Sequence, residues 1–187
     1  ASTTISSTGT LQLVGNSLTI NEPITINGEG YNNLGAISNL TGSNTLSGTI
    51  TLGSSSKIST GTASGTALDL LTITGGVNIA ASTYTLTTEA IKAMRIDGKI
   101  TGDGLLRKTG SDYLELSASN DYKGLTTVSS GVISVTNALA LGTASGTTTV
   151  ENLASINIGG SGFTITEPFT ITGNGVGNGA IWIPSTS

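Results

Sequence analysis

Residues 18–30 read LTINEPITINGEG and residues 163–175 read FTITEPFTITGNG. Glu22 answers to Glu167 and Pro23 to Pro168, 145 residues further on. Upstream, Leu11 and Leu13 correspond to Ile156 and Ile158. Downstream, Gly35, Ala36 and Ile37 correspond to Gly179, Ala180 and Ile181 after a one-residue deletion. The chain therefore reads as one long period, 1–145, followed by the start of a homologous second one, 146–187. The word GTASGT also occurs twice, at 61–66 and 142–147, and hints at an older duplication.

A finer grain lies inside this period. Short runs such as Leu18-Thr19-Ile20, Ile24-Thr25-Ile26, Leu71-Thr72-Ile73 and Leu114-Glu115-Leu116 alternate apolar with polar residues. Each is bounded by Gly, Asn or Ser, as half-buried strands between turns are. Many short strands without amphipathic helices leave a sandwich, a barrel or a solenoid. Repetition selects the solenoid, because each coil buries its inward residues against the coils above and below and one pattern serves throughout. The expected fold is all-β, a right-handed parallel β-helix of roughly eight coils, with about 20–25 residues in each. Residues 89–95 (EAIKAMR) are ambiguous: good helix formers with strand-like flanks.

Composition agrees. Of 187 residues, 10% are charged and 4% aromatic, with 27 Gly and no Cys or His. Lacking His and Cys, the chain lacks the commonest general base and thiolate metal ligands. Net charge is −4, with no basic stripe, which excludes a nucleic-acid reader. No apolar run is long enough to insert into a membrane. No leader opens the chain, which reads as a processed or excised segment.

Residues 102–135 read GDGLLRKTGSDYLELSASNDYKGLTTVSSGVISV. This stretch resembles the passenger-associated transport repeat, or autotransporter-associated β-strand repeat, of bacterial autotransporter-type surface proteins. Gly102, Gly104, Lys108, Gly110, Leu114, Leu116, Asn120, Tyr122, Gly124, Thr126, Val128, Gly131 and Val135 fall on the family pattern. Asp112, Ala118 and Ile133 depart from it. The usual tail follows, from Ala140-Leu141-Gly142 to Val150. The resemblance implies a right-handed β-helix, secretion through the outer membrane to the cell surface, and a stalk that supports export or presents an adhesive tip. It implies no catalytic residue. In physical terms the motif glycines suit corners and Asn120 suits a turn whose backbone groups need partners. Tyr122 is expected to cover a coil edge with its hydroxyl in water.

Other sites compete weakly. Asp97, Asp103, Asp112, Glu115 and Asp121, with Arg95, Arg107 and Lys108 nearby, form the densest charged group. Paired carboxylates cut polysaccharides in some β-helix enzymes, but these positions read as solvated outward residues. The stretch 101–104 resembles one incomplete calcium-binding turn, and the G-x-G patterns near Gly28 and Gly173 lack the βαβ unit a phosphate cradle needs. Asn39-Leu40-Thr41 matches a glycosylation acceptor. Trp182, the one Trp, is a sugar platform or a coil-edge cover. The expected role is structural or adhesive, with no catalytic site, metal or cofactor. The expected partners are neighbouring repeats or copies stacked head to tail into a fibre or matrix, and surface glycans. A glycan-binding adhesin and a polysaccharide-degrading enzyme are the alternatives.

Overall fold

The computed structural model describes residues 2–61, 69–160 and 162–183. Among these residues twenty strands follow in chain order. The first are β1 (Thr3–Ile5), β2 (Leu11–Val14), β3 (Thr19–Ile20), β4 (Ile24–Gly28), β5 (Ile37–Thr41), β6 (Ser43–Leu46) and β7 (Ile50–Thr60). Next come β8 (Leu70–Ile73), β9 (Val77–Ile79), β10 (Thr85–Ala90), β11 (Ala93–Ile96), β12 (Ile100–Gly102), β13 (Leu105–Thr109) and β14 (Tyr113–Leu116). The last are β15 (Thr126–Val128), β16 (Gly131–Val135), β17 (Thr148–Val150), β18 (Ala154–Ile158), β19 (Phe169–Ile171) and β20 (Ile181–Trp182). Among the described residues the one helical element is a 3-10 turn, Tyr31–Asn33.

Every strand pairing is parallel, as a solenoid requires. The first sheet stacks β3, β6, β8, β11, β14, β16, β18 and β20. The second sheet has two limbs joined through the long β7. One limb stacks β1, β4, the first part of β7, β9 and β12. The other stacks β2, β5, the last part of β7, β10, β13, β15, β17 and β19. A coil visits all three faces in turn, and the eight strands of the first sheet bound seven turns. This is a parallel β-solenoid of about the predicted length.

Each face owes its place to alternation. In β14, Tyr113 is exposed, Leu114 buried, Glu115 half-buried and Leu116 buried, as a period of two dictates. Inward residues then stack from coil to coil. In the first sheet Ile20 lies beside Leu46, then Ile73, Ile96, Leu116, Val135 and Ile158. The longest coil on this ladder runs from Leu46 to Ile73 and the shortest from Leu116 to Val135, so the chain turns most tightly around the motif. Residues 89–95 resolve as strand, corner, strand. Ala90, Ala93 and Met94 point inward across the corner, because tertiary burial outweighs local helix propensity. Of the two GTASGT words, 62–66 lies outside the described residues. The second closes a turn in which the Gly146 amide donates to Thr143 O at 3.0 Å.

Equivalent positions of the two sequence units keep their pairing register. Thr3–Ile5 lies beside 24–26, and Thr148–Val150 beside Phe169–Ile171. Leu11 lies beside Ile37, and Ile156 beside Ile181. The faces differ, however. β1 and β4 are on one limb of the second sheet and β17 and β19 on the other; β2 and β5 are in the second sheet and β18 and β20 in the first. The same sequence unit recurs one face further round the solenoid.

The ladder is expected to dominate stability. Leu116→Ala removes a fully buried side chain between two rungs and should cost about 2–5 kcal/mol. Leu125→Ala, at a position 49% exposed, should stay within about 0.5 kcal/mol. Urea denaturation of both variants checks this; equal losses would contradict the stacking account.

Candidate functional site: the motif coil and its outer face

The motif glycines sit where the coils press closest. A Cβ on Gly124 would come 2.2 Å from Gly104 O, so one glycine lies directly over another. Gly131 has φ +71, and a Cβ there would meet Gly110 O at 2.4 Å and Asp112 O at 2.5 Å. Both positions forbid a side chain. Gly102 and Gly110 share this confinement. Leu114, Leu116, Val128 and Val135 are inward rungs, wholly buried.

Lys108 occupies a position that alternation assigns to an aliphatic residue. Its ladder runs Leu11, Ile37, Ile58, Thr88, Lys108, Val128, Val150 and Ile171. The side chain is fully buried, and its ammonium donates to Thr109 O at 2.7 Å, Gly110 O at 3.0 Å and Ser130 O at 3.2 Å. These carbonyls turn away from the strand ladders at the corners leading into β14 and β16. Burial lowers the amine to about 8, while Asp112 and Glu89 pull it upward.

Asn120 joins three coils. Its Oδ1 accepts from the Ile100 amide at 2.8 Å and its Nδ2 donates to Ala140 O at 2.6 Å. Its partners are backbone groups of the two neighbouring coils rather than of its own turn. Tyr122 departs from expectation. Its ring is fully buried and its hydroxyl shares a 2.6 Å hydrogen bond with Thr126 Oγ1 rather than with water. The Asp121 and Lys123 amides donate to Ile100 O and Gly102 O, so the backbone of this stretch continues the stacking of β9 and β12 and Tyr122 points inward over Gly102 and Ile79. Burial pushes its hydroxyl far above the ordinary tyrosine range.

Thr126 pairs with Thr148 in the next coil, and Thr148 Oγ1 donates to Glu167 Oε1 at 2.6 Å. A polar column, Tyr122–Thr126–Thr148–Glu167, thus runs inside the core. The sequence pattern marks Glu167 only through its repeated Glu-Pro pair. Its carboxyl is raised to about 7 by burial, against the Thr148 hydrogen bond, and Oε2 has no partner. Asn39, the glycosylation match, is also buried, donating to Gly42 O and accepting from Asn44 Nδ2 at 2.7 Å, so no glycan-transfer enzyme could reach it.

Apart from the buried Lys108, the charged group lies outside and is distributed along the coils. Arg95 Nε donates to Asp97 at 2.7 Å and lies 3.7 Å from Glu115; Lys99 reaches Asp121 at 2.6 Å and Lys123 reaches Asp103 at 2.8 Å. Asp103, the acid of the calcium-like turn, thus has an ammonium on it. Arg107 reaches Ser129 Oγ at 3.2 Å, and Asp112 caps the Tyr113 amide at 2.8 Å. Among the described residues no three acids come together as metal ligands. Sequence reasoning missed the feature beside them. Over the first sheet an open groove of about 400 Å³ runs along the axis, walled by Tyr113 and Trp182 and floored by Glu115, Ser134 and Asn157.

With this geometry in place, comparison with known families gives one match: residues 106–135 fit the model of the passenger-associated transport repeat. The matched segment spans β13 to β16 and contains Lys108, Asn120, Tyr122 and Gly131. No curated protein and no solved structure matches the chain.

Two outcomes follow from the buried polar groups. Lys108→Met keeps the apolar stem but takes the ammonium from the Thr109 and Ser130 carbonyls and leaves Gly110 O with the Ser130 hydroxyl at 3.3 Å, and should destabilise the protein by about 2–4 kcal/mol in denaturant titrations; a neutral substitution would contradict the capping role. Glu167 binds its proton more tightly folded than unfolded, so its contribution is complete below about pH 4.5 and is lost as pH rises through about 7. Thermal unfolding followed by Trp182 emission should give a higher midpoint at pH 5 than at pH 8. Glu167→Gln should flatten that difference.

Proposed function

We propose that the chain is a stalk segment of a large, repetitive, secreted bacterial surface protein, spacing and presenting what lies beyond it. The observation that carries this reading is the match at 106–135 on a continuous parallel solenoid, a combination that fits an autotransporter passenger segment. The role is structural. The side chains that define the motif are spent on corners and core, and the outward Asp97, Asp103 and Asp121 are held by neighbouring cations. Partner coils of the same kind suit the described outermost strands, β1, β2 and β3 at one end and β19 and β20 at the other, each of which is paired on one side alone. Continuation of such coils into a long rod, or of copies into a fibre or matrix, belongs to this reading, and open strand edges favour it.

The test is export. The chain, fused ahead of an outer-membrane translocator barrel in a Gram-negative host, should appear on intact cells as protease-accessible protein. Lys108→Met, which loosens the motif corner, should lower the surface amount several-fold relative to the unaltered chain. Retention in the periplasm, under conditions that export an unrelated solenoid, would overturn the reading, as would undiminished export of the variant.

A further inference from the structure

The groove over the first sheet holds a chemistry that a plain spacer does not need. An outward column runs Arg95, Glu115, Ser134, Asn157, Trp182, each residue beside the next in strand register. From Glu115 to Trp182 it crosses three strand spacings, roughly 14 Å. Tyr113 flanks its lower end and is 39% exposed. The floor carries a carboxylate, a hydroxyl and an amide. The Asn157 Oδ1 is shielded from water and has no protein partner, an acceptor left unfilled. The lining has two carboxylates, Asp112 and Glu115, and no lysine or arginine; Arg95, 3.7 Å from Glu115, lies just below it.

The geometry points to a binding groove for a saccharide chain that carries no acidic groups. Pyranose rings present apolar C–H faces and a rim of hydroxyls. The first suit the two aromatic walls, and the second suit a floor dominated by acceptors. An acidic glycan would meet like charge. Along β14, β16 and β18 a peptide strand finds no free backbone ladder, because each pairs on both sides, and the one open edge, that of β20, lies at the end of the groove. Two further hollows, about 520 Å³ over the second sheet between Glu29 and Glu151 and about 400 Å³ beside Asp103 and Asp121, have no aromatic wall.

The two sequence units differ at this point. Ser38 is the equivalent of Trp182 once the one-residue deletion is allowed for, and Ser38 is buried. The one-face step of the unit sets Trp182 on the first sheet, in line with the column of the motif coil. A stacking residue thus occurs only in the copy whose position reaches the groove.

Trp182 is the one tryptophan, so its emission reports on the groove alone. Cellotetraose and a glucosamine tetramer should each change that emission saturably, while a tetragalacturonate should not. Tyr113→Ala should weaken the affinity about tenfold by calorimetry, with circular dichroism and unfolding midpoint unchanged. Trp182→Ala should do the same, and Trp182→Phe should restore most of the binding. Absence of a saturable response to both unacidic tetramers would overturn the assignment, as would an equal response to the acidic one or intact binding in Tyr113→Ala. The stalk reading rests on surface export and stands or falls separately.

Discussion

Everything in this molecule depends on parallel strands stacked so that each inward side chain lies on another inward side chain. A single coil has no core. Leu116 is dry because Ile96 lies on one side of it and Val135 on the other, and each of those rungs is closed in the same way. Stability is therefore nearest-neighbour in character. The condition also fixes what a coil can be: strand lengths and corners vary, but the rung has to recur. Short coils and long ones satisfy it equally because surplus residues leave through the corners.

Corners are where this arrangement generates cost. Each bend takes backbone carbonyls out of the strand ladders, and a dry corner cannot leave them to water. The motif coil answers with long polar side chains sent inward. Lys108 caps three carbonyls, and Asn120 clamps an amide below and a carbonyl above. Near the other end Asn44 does similar work, donating to Gly15 O and Thr41 O while accepting from the Leu18 amide. Gly131 shows the limit: a Cβ there would press on Gly110 O and lie 2.9 Å from the Lys108 ammonium.

Alternation and punctuating glycines make the rungs legible in the sequence, so strands such as β14 and β16 and the parallel solenoid can be read without coordinates. The inward polar residues are harder. Lys108 and Tyr122 sit in the right phase for burial, but hydropathy argues for water, and only the motif resemblance marks them as fixed. The Tyr122 hydroxyl goes inward because Thr126 returns to meet it from the next face, a contact that depends on how sharply the chain turns at Gly124. Glu167 is hidden for the same kind of reason: its partner, Thr148, is a coil away. The groove is less legible still, for Tyr113 and Trp182 are far apart in the chain and meet one surface only through coil lengths that no local pattern states.

Those coil lengths have a further consequence. From Ile20 to Ile158 the first sheet makes six whole steps, returning each time to the same face. The sequence unit is slightly longer than that span: the residue answering Ile20 in the second unit is Ile165, which lies beyond Ile158 on the way to β19. The excess carries the chain past the first sheet and toward the next face, which is the displacement seen between β1 and β17. A repeat whose length matched whole coils would return every residue to the same face. This one does not, so outward residues that are equivalent in sequence have different neighbours. Inward positions tolerate the shift because an aliphatic rung is much the same on any face. Outward positions do not: Ser38 is buried on one face, whereas Trp182, on another, borders an open groove. Repetition in the core and divergence on the surface are then compatible within one short motif.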